Sequence, residues 1–238
     1  MEKPKMILFD YGQTLVNETP YDGIAGTRAV LQYATKNKHS STPEEVQAVA
    51  DTLFSYLNRD DPNKYHLFQI EIPNYMFNAF LYQSLGIELS LSPQEIDRIF
   101  WNAAHTCTPT DGIVDFLDFL DKQNIRTGVI SNISYCGEVV EEHITQLLPQ
   151  HNFEFILASS EYLFRKPDRK IFELALEKAD LYPEDVWYVG DNYECDVLGA
   201  KNAGLFPIFY VGATHNAPHY NDVFTISSWE QLKQQIDK

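Results

Sequence analysis

The sequence predicts an α/β protein in which a doubly wound parallel sheet is interrupted by an inserted all-helical segment. Three observations lead to this prediction. Met6–Phe9 is a short apolar run without helical periodicity, as is typical of a buried strand at the centre of a parallel sheet. From residue 108 onwards, short apolar runs alternate with amphipathic helical patterns. Residues 22–107 show no convincing strand, so the first strand is separated from the rest of its sheet.

The inserted segment is predicted to contain four helices. Thr42-Pro43-Glu44-Glu45 and Ser92-Pro93-Gln94-Glu95 each combine an N-cap residue, a first-turn proline and a glutamate at the third position, which marks a helix start. Asp60-Asp61-Pro62-Asn63 is expected to end the second of these helices. We therefore predict two domains, an α/β core of residues 1–16 and 108–238 and a helical cap of residues 17–107.

The second part of the core is predicted to alternate strands and helices. Predicted strands cover residues 127–130, 153–158, 185–189, 206–211 and 224–226. Predicted helices cover residues 111–122, 135–148, 168–179 and 196–203, and a closing helix begins at Ser228. Because the insertion follows the carboxyl end of a strand, it is expected to sit over the ligand crevice as a lid.

Composition restricts the partners and the compartment. The chain has 238 residues and a formal charge of −16, which argues against binding to nucleic acid or to an anionic membrane. Three cysteines, Cys107, Cys136 and Cys195, have no metal-binding spacing and suggest a reducing compartment. The apolar run before Asp10 is too short for a signal peptide, and no long apolar run follows. A cytoplasmic protein is expected.

Polar residues follow several of the predicted strands. Asp10 stands where the first strand ends, and Ser131-Asn132 ends the second. Ligands of open α/β sheets bind outside the carboxyl ends of the strands, so these side chains are placed to meet one. Taken singly, each has an ordinary explanation, because aspartate, serine and asparagine are also common turn residues.

Two further segments carry charge to the same edge of the sheet. Lys166 precedes a helix and could bring a fixed positive charge into the crevice, although a lone lysine is more often a surface residue. Asp191 and Asp196 flank the turn after a later strand. Together with Asp10 they could form a site for a hard cation such as Mg²⁺.

The ordered set of these segments resembles the haloacid dehalogenase (HAD) superfamily. The four motifs are Asp10 to Thr14, Ser131-Asn132, Lys166-Pro167-Asp168 and Gly190-Asp191 with Asp196. Each lies at a predicted strand end or in the adjoining loop. The helical block resembles the C1-type cap of subfamily I, and the resemblance extends over essentially the whole chain. It implies a Rossmann-like core with an inserted cap.

The resemblance implies a phosphoryl-transfer site. Asp10 would be the nucleophile that attacks phosphorus and forms an aspartyl phosphate. Ser131, Asn132 and Lys166 would hold the phosphoryl oxygens. Lys166 would also keep Asp10 ionised, since a nearby opposite charge lowers the pKa of a carboxyl group. Asp196 would orient Lys166 or a metal-bound water.

The resemblance also implies Mg²⁺ as the cofactor. Asp10, Asp191 and the main-chain carbonyl of Gly12 would bind the ion, and Thr14 would support the first loop by hydrogen bonding. The expected substrate is a small phosphorylated metabolite. The protein is expected to be a monomer or a homodimer, with no nucleic-acid or membrane partner.

The chain departs from this family at Gly12. Phosphatases of the family usually carry a second aspartate there, which protonates the leaving group and then activates water. Such general acid–base catalysis contributes about 10²- to 10⁴-fold in rate. Tyr11, Glu18 and Asp22 are candidate substitutes, and the sequence favours none of them.

The leading hypothesis is a Mg²⁺-dependent phosphoric monoester hydrolase with reduced activity or with a proton donor from elsewhere. Three alternatives remain. A phosphonatase-like enzyme would form a Schiff base with a cap lysine, here Lys36, Lys38 or Lys64. A 2-haloacid dehalogenase would need no metal, but its Tyr-Gly pair falls one place later than in this chain. A binding or regulatory protein could have lost turnover, although the retained acids and lysine count against it.

Overall fold

The computed structural model describes residues 3–18, 20–57, 69–213 and 220–237. Its strands are β1 (Met6–Phe9), β2 (Val16–Glu18), β3 (Ala34–Asn37), β4 (Ile87–Leu89), β5 (Cys107–Pro109), β6 (Arg126–Ser131), β7 (Phe153–Ala158), β8 (Val186–Gly190), β9 (Phe206–Tyr210) and β10 (Phe224–Ile226). Its α-helices are α1 (Gly23–Leu31), α2 (Pro43–Leu57), α3 (Asn74–Ser84), α4 (Pro93–Ala104), α5 (Ile113–Lys122), α6 (Gly137–Leu147), α7 (Ser159–Tyr162), α8 (Arg169–Ala179), α9 (Gly199–Asn202) and α10 (Trp229–Ile236).

The main sheet confirms the predicted parallel architecture. Its six strands lie in the order β10-β9-β8-β1-β6-β7, and every neighbouring pair is parallel. From β1 the sheet grows through β6 and β7 on one side, and then through β8, β9 and β10 on the other. The carboxyl ends of β1, β6 and β8 therefore meet where the strand order reverses. Ligands of doubly wound proteins bind at such a point.

Helices cover both faces of this sheet. Ile7 and Phe9 of β1 belong to a hydrophobic core shared with α5, α6 and α10, whereas Met6 and Leu8 belong to a second core shared with α8 and α9. All four side chains are fully buried. Burial on both faces explains why the first strand is a continuous apolar run rather than an alternating one.

The cap has a hydrophobic core of its own. Val30, Val46, Leu81 and Ile96 bring α1, α2, α3 and α4 together. The predicted capping boxes are confirmed at the starts of α2 and α4, where Thr42 and Ser92 each accept a hydrogen bond from the glutamate N–H three residues later. The predicted helix stop over residues 60–63 lies outside the described residues. No described helix is long and apolar enough to cross a membrane.

The prediction that residues 22–107 lack strands is wrong. β3 pairs with β4 inside the cap, and β2 pairs with β5 where the chain passes between core and cap, both in antiparallel fashion. Strands of three or four residues are too short to show the alternation by which strands are found in a sequence. The β2–β5 pair lies across both predicted domain boundaries.

The helix predicted over residues 196–203 also differs in detail. It begins earlier, with the π-helical turn Tyr193–Leu198, and continues as α9. The Asn192 side chain caps this turn by accepting a hydrogen bond of 2.9 Å from the N–H of Cys195. This wider turn carries Asp196 back towards the end of β8.

A short cap segment also pairs with the core next to the strand ends. The Glu71 N–H donates to the Leu163 carbonyl at 2.7 Å, and the Arg165 N–H donates to the Gln69 carbonyl at 2.9 Å. The buried Glu71 carboxylate accepts a hydrogen bond of 2.6 Å from Ser159 and lies 3.7 Å from Arg165. The cap is thereby joined to the loop that leads into Lys166.

Candidate active site

The structure brings the predicted site residues together around a cavity of about 310 Å³ at the carboxyl edge of the sheet. Asp10 follows β1, Ser131 ends β6 and Asp191 follows β8, while Lys166 precedes α8. Gly12, Asn132 and Asp196 line the same cavity. Segments far apart in sequence thus converge where the order of the strands reverses.

Lys166 is the centre of this arrangement and is 2% exposed. Its Nζ donates to Asp10 Oδ1 at 2.7 Å, to Asp196 Oδ1 at 2.6 Å and to the Tyr188 hydroxyl at 2.7 Å. Burial disfavours the charged ammonium, but the Asp10 and Asp196 carboxylates outweigh it and raise the pKa of Lys166. A permanent positive charge therefore lies against Asp10.

The Asn132 side chain positions the main chain of Lys166. Its Oδ1 accepts the Lys166 N–H at 2.7 Å, and its Nδ2 donates to the Lys166 carbonyl at 2.8 Å. Both polar atoms of this amide thus contact Lys166, but Nδ2 carries a second hydrogen, so the expected contact with a phosphoryl oxygen stays a prediction. Ser131 is buried, lies at the end of β6 and lines the cavity.

Asp196 contacts both Lys166 and the loop after β8. Its Oδ1 contacts Lys166 and Tyr188, and its Oδ2 accepts the Asn192 N–H at 2.9 Å. Of the two roles expected for Asp196, these contacts favour the orientation of Lys166. A side chain at Gly190 would overlap the Asp196 carboxyl group, so glycine is needed there for this close approach.

Three carboxyl groups lie close together in this site. Asp10, Asp191 and Asp196 each offer an oxygen, and these oxygens lie within 4.8 Å of one another. Burial raises the pKa of Asp191 to about 8, and the charges of Asp10 and Asp196 add to this effect. Burial also raises the pKa of Asp10 to about 6, with Lys166 opposing the shift and Asp196 adding to it.

This donor set fits a hard divalent cation. Carboxylate oxygens are the ligands that Mg²⁺ prefers, usually one or two of them together with waters and substrate oxygens. Because both oxygens of Asp196 are already engaged, Asp191 and the second oxygen of Asp10 are the better placed ligands.

Thr14 supports the first loop differently from the expectation. Its side chain is fully buried, and its hydroxyl makes no hydrogen bond within the described part of the chain. Its main-chain carbonyl accepts a hydrogen bond of 2.8 Å from Thr110, which also accepts one from Trp229 Nε1 at 3.0 Å. The loop is thus tied to the core through its backbone.

The three candidate proton donors differ sharply in position. Tyr11 also lines the cavity, but it is 1% exposed, packs on Trp101 with ring centroids 6.1 Å apart, and has its pKa raised by burial. Asp22 is engaged as the N-cap of α1, where it accepts a main-chain N–H at 2.9 Å. Glu18 lines the cavity, and burial, with a smaller contribution from Asp10, raises its pKa to about 7.

A second cavity of about 800 Å³ lies between the cap helices and the core. Its walls are largely aromatic, and they also carry amide and carboxyl groups: Tyr21, Phe54, Phe77, Tyr82, Phe100, Gln47, Asn74, Asn78 and Asp97. His105 and Tyr135 line both cavities, with His105 Nε2 and the Tyr135 hydroxyl 3.2 Å apart. The sequence shows these aromatics at helical spacing but does not show that they enclose a space.

The fold and the site define a doubly wound α/β enzyme with a carboxylate at the end of its first strand and a cap inserted after it. The sequence matches the haloacid dehalogenase-like hydrolase family over residues 7–209. The chain belongs to this family, which confirms the resemblance found in its motifs.

Curated relatives in this family include enzymes of phosphate ester hydrolysis. The pyrimidine 5'-nucleotidase YjjG of Escherichia coli is 32% identical over 160 residues, which cover 66% of this chain and 70% of that protein. The glyceraldehyde 3-phosphate phosphatase of Methanothermobacter thermautotrophicus is 33% identical over 123 residues, which cover 48% of this chain and 53% of that protein.

Solved structures show the same fold. A 2-haloacid dehalogenase from Pseudomonas syringae matches with a TM-score of 0.66 and 21% identity, over 98% of each chain. A HAD phosphatase from Thermococcus onnurineus matches with a TM-score of 0.64 and 18% identity, over 97% of each chain. At these identities the likeness concerns the fold alone.

Proposed function

We propose that this protein is a Mg²⁺-dependent phosphoric monoester hydrolase that acts on a small phosphorylated metabolite and forms an aspartyl phosphate on Asp10. The contact between the buried Lys166 and Asp10 carries this proposal, because it fixes a carboxylate and a positive charge together at the mouth of the cavity. The curated phosphatase and nucleotidase relatives support the same reaction class.

Each residue of the site has its own role in phosphoryl transfer. An oxygen of Asp10 attacks phosphorus while Lys166 holds the Asp10 carboxylate in place. Lys166, Ser131 and the main-chain N–H groups beside it stabilise the charge that develops on the phosphoryl oxygens. Asp196 and the Asn132 amide hold Lys166 in place for this task. Water then attacks the phosphorus and releases inorganic phosphate.

Mg²⁺ would be held by Asp10, Asp191 and the main-chain carbonyl of Gly12. When bound, it would neutralise charge on the phosphoryl group and offset the repulsion among the clustered carboxylates.

Added Mg²⁺ is therefore expected to stabilise the folded protein. A ligand of the native state at about 100 times its Kd stabilises by about 2.7 kcal/mol. For a chain of this length, this corresponds to a rise in Tm of roughly 5–10 °C. Differential scanning fluorimetry with MgCl₂ would measure it, and Asp191→Asn should lose the shift while Asp180→Asn, at an exposed position outside the site, keeps it. An equal shift in wild type and Asp191→Asn would contradict this assignment.

The cap cavity supports an organic phosphate as the substrate. The two cavities share His105 and Tyr135, so a phosphoryl group beside Asp10 would point its ester substituent towards an aromatic-lined space. A cavity of about 800 Å³ is large enough for a nucleoside or another ring-containing group.

Two observations bear on the alternative functions. Lys36 pairs with Glu88 at 2.7 Å on an exposed strand, and Lys38 packs beside Gly86, so neither reaches the cavity; Lys64 lies outside the described residues. These positions weaken the phosphonatase-like alternative. The cluster of three carboxyl groups favours metal-assisted phosphoryl transfer over metal-free dehalogenation.

The experiment that tests the proposed function is hydrolysis of p-nitrophenyl phosphate with MgCl₂ or with EDTA, alongside release of halide from 2-chloropropionate. We expect Mg²⁺-dependent release of p-nitrophenol and no release of halide. Halide release without phosphatase activity would favour a dehalogenase. Absence of both activities in the folded protein would favour the binding or regulatory alternative.

A further inference from the structure

Glu18 occupies the space that a side chain at position 12 would fill. A Cβ added to Gly12 would lie 2.6 Å from Glu18 Oε2 and 3.1 Å from Glu18 Cδ. Real Cβ atoms do not approach other atoms so closely, so a side chain at position 12 would displace the Glu18 carboxyl group from its present position. The Glu18 carboxyl group therefore lies in space that the glycine at position 12 leaves open.

The backbone holds Glu18 in this place. Gln13 adopts a left-handed conformation with φ of 51°, and Gly12 forms an isolated bridge with Val16, so the chain turns back over the first loop. β2 then pairs with β5, with Glu18 opposite Cys107. The Gln13 side chain also donates to the Glu18 carbonyl at 3.3 Å. The pairing of β2 with β5 thus fixes the main chain of Glu18 beside the first loop.

The carboxyl group of Glu18 is available to a substrate. It lines the cavity that Asp10, Lys166 and Asp191 also line. No hydrogen bond or ion pair within the described ranges engages its oxygens. Among the described residues, the cluster able to hold a metal ion contains Asp10, Asp191 and Asp196, and Glu18 is outside it. Glu18 is therefore beside the reacting groups without belonging to the cation site.

We propose that Glu18, on β2, is the catalytic acid and base of this enzyme. It takes the role of the aspartate that phosphatases of the family usually carry at the position of Gly12. This inference rests on the proposed phosphatase function. In the first step an Asp10 oxygen bonds to phosphorus, the bond from phosphorus to the leaving oxygen breaks, and Glu18 gives that oxygen its proton, so that an alcohol departs. In the second step water attacks phosphorus and gives a proton to Glu18. The bond to Asp10 breaks, and inorganic phosphate leaves.

The test compares two esters of similar shape, p-nitrophenyl phosphate and benzyl phosphate. A nitrophenolate leaves without a proton, whereas a benzyl alkoxide needs one. For Glu18→Gln we expect kcat/KM with benzyl phosphate to fall by about 10²- to 10⁴-fold. With p-nitrophenyl phosphate the same parameter should fall less than about 10-fold, because it reports the steps up to departure of the leaving group. Glu88→Gln, at an exposed strand position outside the cavity, is the matched control.

A second pair of variants moves the acid back to position 12. Glu18→Ala empties the space beside Gly12, so adding Gly12→Asp to it places a carboxyl group there without overlap. We expect the double variant to exceed Glu18→Ala by at least about 10-fold with benzyl phosphate.

Two results separate the failure of this inference from that of the proposed function. If the folded wild type hydrolyses neither ester with Mg²⁺, the proposed function fails and the inference falls with it. If wild type hydrolyses both esters but the Glu18 variants lose both activities equally, or lose neither, the phosphatase function stands and the inference is overturned. Thermal unfolding of each variant shows that it is folded.

Discussion

Asp10→Asn is expected to reduce kcat with p-nitrophenyl phosphate by more than about 10⁴-fold, because loss of a catalytic nucleophile removes the main route of the reaction. The fold should persist, since the asparagine amide oxygen can still accept a hydrogen bond from Lys166 Nζ at the place of Asp10 Oδ1. Steady-state kinetics measure the loss. Acid quenching of the wild type should trap a hydroxylamine-sensitive acyl phosphate that Asp10→Asn does not form.

Asp180→Asn is a matched control for this change. Asp180 is exposed at the end of α8, with φ of 52°, a left-handed conformation that asparagine adopts readily. It should keep full activity. An Asp10→Asn protein that retains a tenth of the wild-type kcat would show that Asp10 is not the nucleophile.

Lys166→Met is expected to reduce both activity and stability. Methionine has a similar length but no charge, so the Asp10 and Asp196 carboxylates lose the donor that lies 2.7 and 2.6 Å from them. Removing one partner of a buried ion pair leaves uncompensated charge and costs about 3–5 kcal/mol. We expect kcat to fall by more than about 10³-fold, as the attacking carboxylate is no longer held and the phosphoryl charge no longer balanced.

The measurements are urea unfolding without added divalent cation and steady-state kinetics with Mg²⁺. Lys178→Met, on the exposed face of α8, provides the same chemical change on the surface and should alter stability by less than about 0.5 kcal/mol. If Lys166→Met is as stable as wild type and keeps its kcat, the Lys166 ammonium neither stabilises the fold nor contributes to catalysis.

Local chemistry in the sequence was sufficient to predict much of the core. The apolar run of β1 and the capping boxes at Thr42 and Ser92 depend on residues within one element, and all are present in the structure. The order of the four motifs identified the family, because each motif stands beside the strand or helix end that positions it. Such features need no knowledge of distant partners.

Contacts between distant segments required the tertiary structure. Lys166 and Asp10 are 156 residues apart in the chain, and Asn132 and Lys166 are 34 apart. That the Asn132 amide holds the main chain of Lys166 follows from packing, which residue type alone cannot specify. The short strands β3 and β4 were missed for a related reason, since they are defined by pairing with each other.

Which residue can serve as proton donor in place of a side chain at Gly12 also depends on both the sequence and the tertiary structure. By itself, the sequence determined that position 12 carries no side chain, and it presented Tyr11, Glu18 and Asp22 as equal candidates. The tertiary structure distinguished them. It buried Tyr11 in the core, engaged Asp22 in a helix cap, and turned Glu18 back over Gly12 through the pairing of β2 with β5. A side chain's type is fixed by the sequence, but the space it occupies is decided by the distant segments that pack and pair around it.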